Sequence, residues 1–421
     1  MSTLDESQRQ VAVTARDLPL ACPRPDAPLW ARHPRVFIDV LKSASGEAAC
    51  PYCGTVYRFT GERPKGHHCR LPAKRRPRRA KHSSGMKILV VAPSWIGDTI
   101  LAQPLLALLK RNNPAARIEV LAPEWSAPLL ARMAEVDAVI VSPFGHGEFN
   151  LGARRALGRR LRGNAAGAGF SQAYVLPNSW KSALVPFFAG IARRIGYRGE
   201  ARYLLLNERH RLDVARHPQL VQRYAALAGP LPAALPQPRL SSTVEQQQAV
   251  RLALNLPLDA APVVFCPGAE YGPAKRWPVR HFAALARLIA SPRSPVWLVG
   301  SAKDATLGEE ISAAAEGAAL NLCGRSTLQQ AIDLIASARC VVSNDSGLMH
   351  VAAALERPLV ALYGSSSPAY TPPLSPHAKI VWRQLSCSPC FKRECPLGHF
   401  DCMNGITPRH VAATITEQLP I

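Results

Sequence analysis

From Lys87 onward the chain alternates short apolar runs with longer segments whose apolar residues recur at helical spacing. The runs occupy residues 88–91, 118–121, 138–141 and 173–176, then 263–265, 296–299, 340–342 and 359–362. They are continuous rather than alternating, so they predict strands covered on both faces, and the helices between them supply the crossovers of parallel sheets. The rhythm breaks at residues 229–240, GPLPAALPQPRL, whose prolines suit neither a helix interior nor a ladder. The pattern therefore predicts two doubly wound α/β domains, 86–240 and 241–421. Residues 1–85 lack it. There only 33–40, HPRVFIDV, reads as a strand, and residues 66–85 carry the charge run KRRPRRAK followed by HSSG, which cannot pack and reads as a basic linker.

A chain of 421 residues, 48% hydrophobic, is too long for one core and suits two or three domains. Its net charge of +22, from 51 Lys+Arg against 29 Asp+Glu, asks for a polyanionic partner. Nucleic acid and an anionic membrane surface answer that equally well. No run reaches the roughly 18 apolar residues needed to cross a bilayer, and the first residues, MSTLDESQRQ, are too polar for a signal peptide. The expectation is a cytoplasmic protein, in which the 11 cysteines are thiols and metal ligands rather than disulfides.

Cys22, His33, Cys50 and Cys53 form a C-x10-H-x16-C-x2-C array ending in the tight knuckle CPYCG. Three thiolates and an imidazole suit tetrahedral Zn²⁺, and so short a segment has little core without a metal. The four positions are filled, so the expectation is a structural zinc in residues 1–65. His67, His68 and Cys69 fall in the linker. Near the C-terminus, Cys387, Cys390, Cys395 and Cys402 make C-x2-C-x4-C-x6-C, spacing for a second metal knuckle or for free thiols alike. Cys266, Cys323 and Cys340 sit in apolar runs and read as small buried residues.

Three strand-to-helix turns carry candidate chemistry. Residues 266–278, CPGAEYGPAKRWP, and 343–355, SNDSGLMHVAAAL, each place small residues between a strand and a helix, aiming backbone N–H groups at an anion. Lys275 and Arg276 add fixed charge, and Asn344, Asp345 and Ser346 suit an N-cap. A diphosphate fits between the two turns. Residues 94–98, SWIGD, hold Asp98 at the turn before a helix over 99–110, where from position alone it is either a base or a plain N-cap. Such a location should depress its pKa and keep it ionised. Ser301 and Lys303, in the turn GSAKD, are weaker candidates for ribose or phosphate. Arg154, Arg155, Arg159, Arg160 and Arg162 punctuate LGARRALGRRLRG, a basic amphipathic segment suited to anionic lipid or to a solvated face.

Residues 86–110, 174–190, 196–207 and the two diphosphate turns together resemble the ADP-heptose:lipopolysaccharide heptosyltransferases of glycosyltransferase family 9, the type II enzymes most closely. The resemblance begins at Met86 and runs almost to the C-terminus. It implies a GT-B architecture, with the acceptor on the first half and the nucleotide sugar on the second. It implies an inverting transfer of heptose from ADP-heptose onto the first heptose of the lipopolysaccharide inner core, with no cofactor required for catalysis; the type I reaction on Kdo-lipid A is the alternative. In this family's pattern Asp98 is the base and Lys275 the diphosphate ligand, while Asp345 contacts the heptose, Ser346 and Gly347 offer N–H groups, and His350 reaches the leaving group. Asn178, Ser179, Lys181, Arg194 and Arg198 become acceptor candidates. A lipid substrate favours peripheral contact with the anionic inner membrane over nucleic acid. The competing class is a zinc-dependent nucleic-acid-binding protein with an inactive transferase half. Residues 1–65 separately resemble the CHCC zinc-finger domain, which makes them a fused accessory module.

Overall fold

The computed structural model describes residues 10–17, 20–22, 36–38, 40–41, 43, 45–50, 55–61, 86–145, 148–163 and 169–419. The chain divides into two compact units, residues 1–82 and 83–421.

The first unit is small. Strands β1 (Gln10–Val13), β4 (Glu47–Ala49) and β5 (Val56–Phe59) form a sheet of order β1-β5-β4, and β2 (Ala21–Cys22) pairs antiparallel with β3 (Val36–Phe37). Its core is thin, built on Val13, Leu20, Ile38, Val40, Cys50 and Tyr57. The N–H of Cys50 donates to Thr55 O at 2.9 Å. His33 and Cys53 lie outside the described residues.

The second unit holds two parallel six-stranded sheets. The first consists of β6 (Lys87–Val91), β7 (Arg117–Pro123), β8 (Ala138–Ser142), β9 (Gln172–Val175), β10 (Arg193–Tyr197) and β11 (Glu208–His210), in the order β11-β10-β9-β6-β7-β8. The second consists of β12 (Val263–Cys266), β13 (Val296–Leu298), β14 (Ala319–Asn321), β15 (Cys340–Asn344), β16 (Leu359–Tyr363) and β17 (Ala378–Trp382), in the order β14-β13-β12-β15-β16-β17. Each is doubly wound, and each reverses its strand order once, between β6 and β9 and between β12 and β15. Ligands of such sheets bind outside the carboxyl ends of the strands flanking that reversal. All three candidate turns follow β6, β12 or β15, so both reversals carry them.

The helices are α1 (Ile96–Leu101), α2 (Gln103–Asn112), α3 (Ala127–Leu130), α4 (Leu151–Leu161), α5 (Leu184–Phe188), α6 (Leu220–Ala225) and α7 (Val244–Ala253). Those of the second half are α8 (Val279–Ile289), α9 (Ala305–Ala314), α10 (Leu328–Ala336), α11 (Gly347–Ala354), α12 (Asp401–Asn404) and α13 (Pro408–Gln418). The helix expected over 99–110 is two, because Pro104 interrupts the backbone ladder and Ala102 joins the pieces. Buried residues of both halves merge into one cluster, from Ile88 and Leu105 through Met349 and Tyr363. The halves are also tied by Arg132 after α3, which pairs with Asp333 on α10 at 2.8 Å, both buried. Among the described residues no helix is long and apolar enough to cross a membrane.

Candidate active site

The crossing of α1 and α11 sets the geometry. Two glycines permit it: a Cβ on Gly97 would stand 2.8 Å from His350 Cδ2, and one on Gly347 would stand 2.8 Å from Ile96 Cβ. Helices that begin with these glycines bring the N-terminal turns of the two halves into contact. Asp98 is thereby carried to the charges of the second half.

Asp98 sits within the first turn of α1, not at its N-cap, which is Trp95. Its pKa is raised to about 6, primarily because burial disfavours the carboxylate; Lys275 opposes the rise and Asp345 adds to it. This corrects the expectation of a depressed value. Desolvation outweighs the short helix. A carboxylate poised near neutrality is a better general base than one held at the usual value.

Lys275 closes a short 3-10 turn after β12, and its Nζ donates to Asp345 Oδ2 at 2.5 Å. Asp345 is buried at 5% exposure. The N-cap of α11 is Ser346 alone, without a side-chain cap bond. Asn344 does different work: its Nδ2 donates to Pro267 O at 2.7 Å and its Oδ1 accepts from the Trp277 N–H at 3.1 Å, locking the turns after β12 and β15 together. His350 is buried, and burial pushes its pKa down to about 4, so the imidazole is neutral near pH 7.

Two cavities flank this crossing, and Asp98, Lys275, Asp345 and His350 line neither. One of about 330 Å³ in the second half is lined by Gly268, Glu270, Ser301, Asp304, Ser346 and Gly347, among others. Another of about 630 Å³ in the first half is lined by Ser94, Phe144, Glu148, Arg154, Ser179 and Lys181, among others. Trp125, 46% exposed, borders both. The sequence reading missed Trp125. Its one signal is a large aromatic immediately after a buried strand. Tyr224 and Tyr370 were missed too; both lie close enough to Asp98 for its charge to raise their pKa.

The remaining candidates separate. Ser301 donates its hydroxyl to Asp304 at 2.7 Å and lines the second-half cavity, whereas Lys303 pairs with Glu270 at 2.5 Å on the surface. Arg276 is exposed. Ser179 and Lys181 line the first-half cavity, while Asn178 accepts from Arg202 beside it at 3.2 Å. Arg198 follows the carboxyl end of β10 and is exposed. Arg194 is a correction: it lies near the opposite, amino end of β10, and its guanidinium donates to Leu205 O and Ile191 O, so its work is structural. Arg154 departs from its neighbours on α4. It is buried, donates to Phe149 O, Glu148 O and Lys181 O, and stacks 4.1 Å from the Phe144 ring centroid, leaving Arg155, Arg159, Arg160 and Arg162 exposed. Cys266, Cys323 and Cys340 are buried as expected, and burial raises all three thiols.

Known proteins resemble this chain in sequence and fold. Residues 154–401 match the family Glycosyltransferase family 9 (heptosyltransferase), and residues 19–57 match a zinc-finger domain. Lipopolysaccharide heptosyltransferase 2 of Salmonella typhimurium is 46% identical over 77% of this chain and 96% of its own length. Lipopolysaccharide heptosyltransferase 1 of Pseudomonas aeruginosa is more distant, at 27% identity over 74% of this chain and 87% of its own length. The solved structure of E. coli ADP-heptose lps heptosyltransferase II superposes with a TM-score of 0.71 at 44% identity, covering 79% of this chain and 98% of that one. With its paired doubly wound sheets and these matches, the chain belongs to glycosyltransferase family 9, the heptosyltransferases, and carries a zinc-finger domain ahead of the transferase.

Proposed function

We propose that the chain is a heptosyltransferase of type II, moving heptose from ADP-heptose onto the first heptose of the lipopolysaccharide inner core by a single inverting displacement. The observation that carries this reading is the meeting of Asp98 with the Lys275–Asp345 pair where the strand-order reversals of the two halves face each other. Relatives named heptosyltransferase 2 at 43% to 47% identity support the type II assignment over type I, since the heptosyltransferase 1 of Pseudomonas aeruginosa is 27% identical.

The acceptor hydroxyl oxygen attacks the anomeric carbon, and the bond from that carbon to the diphosphate oxygen breaks, its electron pair leaving with ADP. Asp98 takes the hydroxyl proton. Negative charge growing on the departing diphosphate is met by Lys275 and by the N–H groups of Ser346 and Gly347, so this proposal gives a metal ion no catalytic part. Asp345, in this reading, anchors Lys275 and turns its free oxygen to the heptose hydroxyls. Neutral His350 lies beside the leaving group as a hydrogen-bonding wall. The first-half cavity takes the acceptor, with Ser179, Lys181 and Arg154 at hand and Asn178 and Arg198 at its margin. The exposed arginines of α4 suit the anionic inner-membrane surface, and residues 86–240 and 241–421 are the acceptor and donor halves.

For the zinc-finger domain we assign a structural Zn²⁺ to Cys22, His33, Cys50 and Cys53. The described residues fit it: Cys50 is buried, in a core too thin to stand alone. Bound there, zinc supplies folding energy to the module.

Product analysis tests the reaction. Transfer with inversion at the anomeric carbon, lost in Asp98→Asn, is expected; a retained configuration, or an Asp98→Asn enzyme with near wild-type kcat, contradicts it.

A further inference from the structure

Cys387, Cys390, Cys395 and Cys402 come from a 16-residue span with no regular structure over its first three thiols, yet all four line one small cavity of about 20 Å³, together with His399 and Ser365. Each of these cysteines is a free thiol. The thiols are close enough that Cys387, Cys390 and Cys395 all act on Cys402, whose own burial is the larger influence raising it. A second observation points into the same cavity: Ser365 is 1% exposed and its Oγ has no hydrogen-bond partner.

We infer that these four cysteines bind one tetrahedral, thiolate-held metal ion, with the Ser365 hydroxyl donating to a ligand sulfur. As they stand, no three or more His, Cys, Asp or Glu side chains among the described residues are gathered tightly enough to hold a metal. Binding therefore draws the half-buried Cys387, Cys390 and Cys395 inward onto buried Cys402. Four soft thiolates select zinc or iron over oxygen-seeking cations.

The loop between these cysteines braces the donor turn. Arg393 O accepts from the Ala274 N–H at 3.0 Å, Phe391 O accepts from the Tyr271 hydroxyl at 2.7 Å, and the Phe391 N–H donates to Ser365 O at 2.7 Å. A Cβ on Gly272 would stand 2.5 Å from Arg393 O, so the two loops touch along their backbones. Lys275 ends that same turn. The metal thus holds the scaffold on which the diphosphate ligand stands.

The test is elemental analysis of the full chain as purified, beside Cys395→Ser and Cys50→Ser. We expect each variant to hold one metal ion fewer than the wild type, and Cys395→Ser to bind ADP several-fold more weakly. Because a substituted loop can misfold, the Cys50→Ser chain, in which this loop is untouched, is also titrated with an organomercurial, which is expected to release its one remaining ion as the four thiols of this loop react. Zinc and iron are distinguished in the same analysis, and either supports the site. Equal metal content in wild type and Cys395→Ser, with the four thiols of Cys50→Ser reacting freely and no metal released from it, overturns it. Unchanged ADP affinity in a variant that has lost the ion overturns the bracing role.

Discussion

Lys275 Nζ lies 2.5 Å from Asp345 Oδ2, joining the turns that follow β12 and β15 close enough to Asp98 for both charges to act on it. In the proposed mechanism this one ion pair positions a phosphate ligand and sets the field felt by the base. Burial pushes the Asp98 pKa up, Asp345 adds to that rise and Lys275 opposes it.

Removing Lys275 has two separable effects. Lys275→Ala loses a charge-assisted contact to phosphate worth on the order of 1.5–3 kcal/mol, so ADP affinity measured by calorimetry falls roughly 10- to 100-fold. Unchanged affinity contradicts the assignment.

The pH profile reports on the same triad. Asp98 must be ionised to accept a proton, so kcat/KM falls as pH drops through about 6. Lys275→Ala moves that acid limb to higher pH, and Asp345→Asn moves it lower. Shifts of the opposite sign would show that the limb belongs to another group.

The raised pKa also costs stability. A carboxyl whose folded pKa lies above its unfolded value favours the folded state below the unfolded value, and that contribution is lost as pH rises through the folded one, here from about 4 to about 6. Asp98→Asn is therefore more stable than wild type at pH 8, by on the order of 1–2 kcal/mol after solvent screening, and gains nothing at pH 4. Thermal melts at the two pH values check this.

Gly97 has no room for a side chain. A Cβ 2.8 Å from His350 Cδ2 forces α1 away from α11, so Gly97→Ala slows transfer by tenfold or more while ADP still binds to the second half. Single-turnover rates beside ADP calorimetry separate the two effects.

Much of this site was legible in the sequence, for a physical reason. Asp98, Lys275, Asp345 and His350 sit in the turns or first helical turns that follow β6, β12 and β15, whose strands are continuous apolar runs, and such runs announce both the strand and its carboxyl end. β10, β11, β14 and β17 were not foreseen. They are short or polar: β10 opens on Arg193 and Arg194, and β17 exposes Lys379 and Ile380, so neither reads as a buried run. Arg194 misled because its motif neighbours surround the site while its own position falls at the wrong end of the strand. The elevation of Asp98 was hidden as well, since burial at a crossing of two halves is a tertiary property that no local window contains.

The most direct test of the central claim compares two acceptors, Kdo₂-lipid A and the same molecule already bearing its first heptose, each with ADP-heptose and the full chain. The account predicts transfer to the heptosylated acceptor, with ADP released, and little to the bare one. Efficient transfer to bare Kdo₂-lipid A, or ADP-heptose left unconsumed with both, contradicts it.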